Sequence, residues 1–132
     1  FYFVHCDMND SSAVADAAKK IGNCDIIIDD ASHASKHQQD AFLTFFPHLK
    51  SGGLYIIEDL RWQPPVYERK SPGITKTAAL FQSFLHGGSF QHADAATAGA
   101  FNALRPQISG CFIFQVRYMK KRKDQIAVIH KL

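Results

Sequence analysis

Acidic residues close three apolar runs of this sequence: Asp7 after FYFVHC, Asp29 and Asp30 after DIII, and Glu58 and Asp59 after LYII. Like charges gathered in one place cost free energy unless a cation or hydrogen-bond donors compensate them. Hard carboxylate oxygens from neighbouring strand ends suit Mg²⁺ or a similar divalent ion. His33 follows Asp30 by three positions, and an imidazole oriented by a carboxylate can act as a general base. The structural alternative is that Asp is a favoured N-cap, so each acid could simply begin the helix that follows it. For Asp7 and Asp29 the two readings stand level. Asp30, Glu58 and Asp59 point to a site, because no helix begins directly after Glu58; a lone loop histidine would otherwise read as solvated.

Other chemistry-bearing residues lack such a setting. His37, His48, His86, His92 and His130 have no acidic constellation in sequence and read as surface or helix-end residues. Trp62 and Tyr67 fit either a substrate lid or loop aromatics packed on the body. Cys6, Cys24 and Cys111 show no CxxC spacing and read as buried free thiols of a reducing compartment. KKRK, 120–123, reads as a solvated hairpin tip in preference to a phosphate or RNA site.

The elements that must position the acids follow from local pattern. FYFVHCD reads as a strand. DSSAVADAAKKIGN reads as a helix capped by Ser11 or Ser12, with Val14, Ala17, Ala18 and Ile21 on one face and Gly22 and Asn23 as its stop. CDIIID is a β-branched run that fits a strand buried on both faces. SKHQQDAFLTFFPHLK offers Ser35 and Gln38 at capping-box spacing and Phe42, Phe45, Phe46 and Leu49 on one stripe, with Pro47 disturbing the last turn. SGG, 51–53, is the expected turn into the strand LYIIEDL. The proline-bearing segment 61–73 is a loop, GITKTAALFQSFLHGG a helix, and ISGCFIFQVRYM with DQIAVIHKL an antiparallel hairpin. Strand, helix, strand, helix, strand is the order of a parallel α/β sheet, whose ligands bind outside the carboxyl ends of the strands, where these acids project.

A chain of 132 residues suits one domain, 1–132, with its own core. Its hydrophobic share of 46% excludes a disordered chain. The formal charge of +3 owes much to KKRK, so no basic face suggests nucleic acid as a partner. No run approaches the length of a membrane span and no signal peptide is visible, so the expected location is cytoplasmic. Phe1 stands inside an apolar run without a start methionine, which is expected of a piece of something longer.

HCDMND, DIIIDDASH and FFPHLKSGGLYIIEDL, in that order, resemble the later part of a class I S-adenosylmethionine-dependent methyltransferase. The nearest match is to the metal-dependent sugar O-methyltransferases of the macrocin and mycinamicin type. The resemblance covers about residues 1 to 60 and, in outline, the terminal hairpin. It implies a Rossmann-like methyltransferase sheet, mostly parallel with a C-terminal antiparallel hairpin and lacking its N-terminal strands. It further implies Asp30, Glu58 and Asp59 as ligands of Mg²⁺, and His33 beside Asp30 as the catalytic base that deprotonates a sugar hydroxyl. Asp7 and Met8 would lie beside the adenine of S-adenosylmethionine, with Asp29 nearby. Ala31 and RWQ depart from the family pattern, and no glycine-rich GxGxxG loop occurs. Either strands are missing between the first two runs, or FYFVHCD pairs directly with DIIID. The implied function is methyl transfer to a small-molecule hydroxyl, with weak cofactor binding by residues 1–132 alone and self-association through an unpaired sheet edge giving a homo-oligomer. The alternatives are a non-catalytic methyltransferase-like module supporting a partner, and a metal-dependent hydrolase using the same acids.

Overall fold

In the computed structural model, which describes residues 2–118 and 122–132, the first expected strand does not form. Residues 2–7 run as irregular chain, with Tyr2 76% and Phe3 86% exposed, so FYFVHCD does not pair with DIIID. An extended apolar run becomes a strand only where a sheet edge offers it backbone partners, and this segment instead enters a turn closed by the Asp10 N–H on the Asp7 carbonyl at 3.0 Å. Helix α1 (Ser11–Ile21) follows. Its cap is Asp10, not Ser11 or Ser12: the carboxylate accepts from the N–H groups of Ser12 and Ala13, which satisfies two donors at once. Val14, Ala17 and Ala18 are buried, while Ile21 is exposed at the end of the helix.

Strand β1 (Cys24–Asp29) pairs in parallel with β2 (Leu49–Ile57), which pairs antiparallel with β4 (Arg122–Lys131), and β4 with β3 (Ile108–Tyr118). The sheet order is β1-β2-β4-β3, so parallel pairing is confined to the first two strands. β1 is therefore an edge strand and not a central one. Lys120 and Lys121, at the expected hairpin tip, lie outside the described residues.

Helix α2 (Ser35–Phe45) crosses from β1 to β2. The expected capping box is absent, since Ala34 is the N-cap and makes no side-chain bond. The Gln38 side chain turns to the Glu58 carbonyl at 3.0 Å instead. Pro47 sits in a short 3₁₀ turn, 46–48, that ends the helix, and Lys131 Nζ donates to the carbonyls of Phe46, Pro47 and Leu49 there. SGG is not a free turn before β2 but an irregularity within it, where the register jumps from Cys24↔Leu49 to Ile26↔Leu54. Gly53 is required: a Cβ there would meet the Asp25 carbonyl at 2.8 Å and Leu49 Cγ at 2.7 Å. After β2 comes a loop holding the single turn α3 (Pro65–Glu68), then α4 (Thr77–Gly87), which begins later than GITK suggests, and α5 (Ala95–Leu104), capped by Asp94. No described helix is long and apolar enough to cross a membrane.

The core lies on one face of the sheet. Ile27, Tyr55, Ile57, Ala127, Ile129 and Cys111 share that face by register. Phe42, Phe46, Leu80, Phe81, Phe90 and Phe101 form one buried cluster with its innermost residues. Phe42 is its hub, 4.7 to 5.3 Å from the rings of Phe46, Tyr55, Phe81 and Phe101. Of the free cysteines only Cys111 is fully buried, Cys6 and Cys24 being half-buried; burial pushes the Cys111 thiol up to about 12, which suits an inert core thiol. The opposite face carries Ile26, Ile28, Leu54, Ile56, Val128 and Phe112 in matching register. It is largely bare, with Ile26 and Ile28 57% and 58% exposed. β1 is thus not buried on both faces: helices cover one side only.

Candidate active site

Register carries the acids to one place. Asp29 pairs with Ile57, and the Glu58 N–H extends the ladder to the Asp29 carbonyl at 3.0 Å. The chains leaving β1 and β2 therefore emerge side by side at their carboxyl ends, as expected for a parallel pair. Both then turn through left-handed backbone at residues other than glycine, His33 with φ 57° and Asp59 with φ 53°. Such a conformation costs of order 1 kcal/mol and persists where surrounding structure enforces it.

The result is a compact group. His33 Nε2 lies 3.5 Å from Asp59 Oδ2 and 3.9 Å from Asp30 Oδ1, and one ligand atom from each of Asp30, His33 and Asp59 falls within 4.8 Å of the others. The His33 side chain is mostly buried, Asp59 partly, and Asp30 stands in solvent. His33 Nδ1 is buried without a hydrogen-bond partner among the described residues, so this imidazole is held by packing and by the acids at its other nitrogen. Trp62 supplies part of that packing, edge-on with ring centroids 5.5 Å apart. Glu58 is outside the group: its backbone carbonyl is taken by Gln38, and the three clustered atoms come from other residues.

Asp29 faces differently. It is buried, Oδ1 accepts weakly from the Ala31 N–H at 3.4 Å, and Oδ2 has no partner among the described residues. Burial raises its carboxyl to about 6, more than the Ala31 N–H and His33 lower it. The side chain does not cap α2, which has Ala34 at its cap. It borders a cavity of about 440 Å³ along the free edge of β1, which Met8, Asp30, Ile26, Ile28, Phe45 and Tyr55 also line. Asp7 lies outside that cavity and borders a neighbouring one with His5, Ser32, His37 and Tyr67, Met8 being common to both. The Asn9 backbone N–H and side-chain amide hold the Asp7 carboxyl below its usual range, so Asp7 acts on the turn before α1 and not as a helix cap.

Sequence reading missed His37. It is buried, not a surface residue, with Nδ1 2.6 Å from Ser32 Oγ and its ring 5.4 Å from that of Tyr67. Burial lowers its pKa. Tyr67 is accordingly packed on the body, while Trp62 borders the acid–histidine group.

No family model matches the chain. Among curated proteins it is 40% identical over 94 residues to the 8-demethyl-8-alpha-L-rhamnosyl tetracenomycin-C 2'-O-methyltransferase of Streptomyces olivaceus, a match covering 69% of this chain and 24% of that protein. It is 46% identical over 54 residues to the demethylmacrocin O-methyltransferase of Streptomyces fradiae, covering 41% and 14%. The mycinamicin VI 2''-O-methyltransferase of Micromonospora griseorubida is 44% identical over 54 residues, covering the same shares. Among solved structures, the MycE methyltransferase from the mycinamycin biosynthetic pathway in complex with Mg, SAH and mycinamycin VI superposes with a TM-score of 0.60 at 26% identity. That likeness covers 97% of this chain and 31% of MycE. The chain thus spans less than a third of the proteins it matches.

Proposed function

From kinship with the sugar O-methyltransferases of the macrocin and mycinamicin type, we propose that this chain is part of an S-adenosylmethionine-dependent, metal-assisted O-methyltransferase that acts on a hydroxyl of a sugar or similar small molecule. The observation that carries the reading is the Asp30–His33–Asp59 group at the carboxyl ends of β1 and β2. Its donor set fits a hard divalent cation: carboxylate oxygens of Asp30 and Asp59 and a ring nitrogen of His33 come to one point at the carboxyl ends of two strands. Asp30 and Asp59 would hold Mg²⁺; Glu58, also proposed from sequence, is the ligand that this geometry supports least. A bound cation polarises an acceptor oxygen and eases loss of its proton. His33 receives that proton at Nε2, and the flanking carboxylates of Asp30 and Asp59 stabilise the imidazolium that results.

The cavity along β1 suits the cofactor. Its walls are largely apolar and the carboxylate-bearing Asp29 borders it, a combination that favours a flat ligand carrying positive charge. In this reading Asp29 and Met8 border the cofactor and Asp7 closes the far side of Met8. When bound, S-adenosylmethionine supplies the electrophilic methyl group. A small-molecule acceptor is the partner, and a cytoplasmic location belongs to the same proposal. A non-catalytic module is not favoured, because nothing structural requires three polar side chains to converge around two left-handed residues.

The test is a calorimetric titration of Mg²⁺ into the chain, alongside Asp59→Asn. Asn tolerates the left-handed backbone of position 59 and removes only the charge. Saturable binding in the parent that the variant loses is expected. Equal heats from the two proteins would reject the site.

A further inference from the structure

We propose that His37 and Gln38 are the positioning residues of this site: neighbours in the first turn of α2, one holds the loop that carries His33 and the other the loop that carries Asp59. The start of the helix thereby acts as a spacer that fixes the gap between the two loops. This rests on the metal-assisted reading above and adds what sets the geometry of its group.

The starting observation is a run of buried polar side chains. His37, Gln38 and Gln39 are 8%, 1% and 2% exposed, and burying such groups costs free energy unless each finds a hydrogen bond. Each of the three reaches a loop: His37 Nδ1 lies 2.6 Å from Ser32 Oγ, Gln38 Nε2 donates to the Glu58 carbonyl at 3.0 Å, and Gln39 Nε2 to the Thr75 carbonyl at 2.7 Å. The first two contacts fall immediately before the two left-handed residues, Ser32 before His33 and Glu58 before Asp59. Successive residues of a helix point about 100° apart, so adjacent side chains diverge and one turn can hold two loops at once.

Left-handed backbone at a residue other than glycine lasts only where its surroundings enforce it. For His33 and Asp59 those surroundings include a tether on each preceding residue. Glu58 is held from both sides, its N–H fixed to the Asp29 carbonyl of β1 and its own carbonyl to Gln38, so the chain leaves it in one direction and aims Asp59. The 3.5 Å from His33 Nε2 to Asp59 Oδ2 spans two loops that meet only in the fold, and the α2 turn touches the residue before each. The spacer is itself seated. The Ser35 N–H goes to Glu68 Oε1 at 2.6 Å, and the Ser35 carbonyl accepts from Thr77 Oγ1 at 3.3 Å. Tyr67 packs on the His37 ring, with centroids 5.4 Å apart, and limits its rotation.

The test uses the 132-residue chain with Ser32→Ala, His37→Phe, His37→Asn and Gln38→Met, read by backbone amide order parameters without metal and then by calorimetric Mg²⁺ titration. Phe keeps the ring packing and removes the bond, whereas Asn presents a polar atom near the place of Nδ1. In Ser32→Ala and His37→Phe, order at residues 31–33 should fall from about 0.85 towards about 0.6 while 58–60 stay rigid, and Gln38→Met should do the reverse. Each loosened variant should bind Mg²⁺ about tenfold more weakly, and His37→Asn should match the parent in both readouts. A merely structural pair would lower thermal stability without this division between the turns. Ser32→Ala reads the first anchor even where His37→Phe does not fold. For the second, the Gln38 side-chain amide protons of the parent should exchange slowly with solvent, and fast exchange removes that anchor. Unchanged order in the variants, or parent-like Mg²⁺ affinity in variants whose turn has loosened, overturns the spacer while the metal site stands. The division between turns in a parent that ignores Mg²⁺ has the opposite meaning: the spacer holds and the metal-assisted reading fails.

Discussion

Removing Glu68 should unfasten the loop after β2 from the helix it crosses. Ala34 at the cap of α2 has no side-chain acceptor, and Glu68 Oε1 takes the Ser35 N–H from 33 residues away while the other oxygen pairs with Lys76. Burial alone would raise the Glu68 carboxyl, but the hydrogen bonds from Lys76 and Ser35 outweigh it and hold it below its usual range. In Glu68→Ala the helix loses a cap worth about 1 kcal/mol. The pair with Lys76, whose side chain is half exposed, adds roughly another 1 kcal/mol at most. For a chain of 132 residues the unfolding entropy is about 0.28 kcal/mol/K, so a loss of about 2 kcal/mol lowers Tm by roughly 7 °C. Glu68→Gln keeps an acceptor for Ser35 and should lose about half as much. A carboxyl lowered by folding contributes stability above its ordinary range and loses that contribution as pH falls through its folded value. The gap between parent and Glu68→Ala should therefore close below about pH 4. Thermal melts followed by circular dichroism at neutral and acid pH measure both effects. A Glu68→Ala melt within about 2 °C of the parent at pH 7, or a gap that survives into acid, would show that the tether contributes nothing.

Two further outcomes follow from the packing. Phe42→Ala removes the ring at the hub of the phenylalanine cluster and should cost about 3 to 5 kcal/mol in urea unfolding; a loss under about 1 kcal/mol would mean that the cluster is not close-packed. The bare sheet face and the free edge of β1 should make the chain self-associate, and Ile28→Lys, at a residue 58% exposed there, should return it towards monomer. Sedimentation velocity decides, and a monodisperse monomer at high concentration would count against an adhesive face.

Much of the site was legible because its determinants are local. A β-branched run followed by acids, with histidine three residues on, places Asp30 and His33 at the carboxyl end of a strand whatever surrounds it. The second strand needed no more than its apolar run and the Gly pair at its irregular start. Glu58 and Asp59 were harder to separate, since adjacent residues leave a strand towards opposite faces, and only the left-handed turn at Asp59 decides which of them meets His33. α5 escaped reading because AATAGAFNAL buries only Phe101 and has no broad apolar stripe.

By itself the sequence determined what nearest neighbours decide: α1 with its Gly22 stop, the end of α2 at Pro47, the β1 and β2 runs, and the spacing of the acids. Tertiary structure decided everything that depends on a partner distant in the chain. FYFVHCD has the composition of a strand, yet residues 2–7 do not take up the free edge of β1, and Tyr2 and Phe3 stay exposed. CDIIID has the composition of a doubly covered strand, yet it lies at the edge of the sheet with one face bare. His37 reads as a surface residue and is buried by Ser32 and Tyr67, and α2 borrows its cap from Glu68. In each case the residue's preference is set by its own chemistry. The outcome is set by whether folding brings a backbone, a ring or a carboxylate to meet it, which no local pattern encodes.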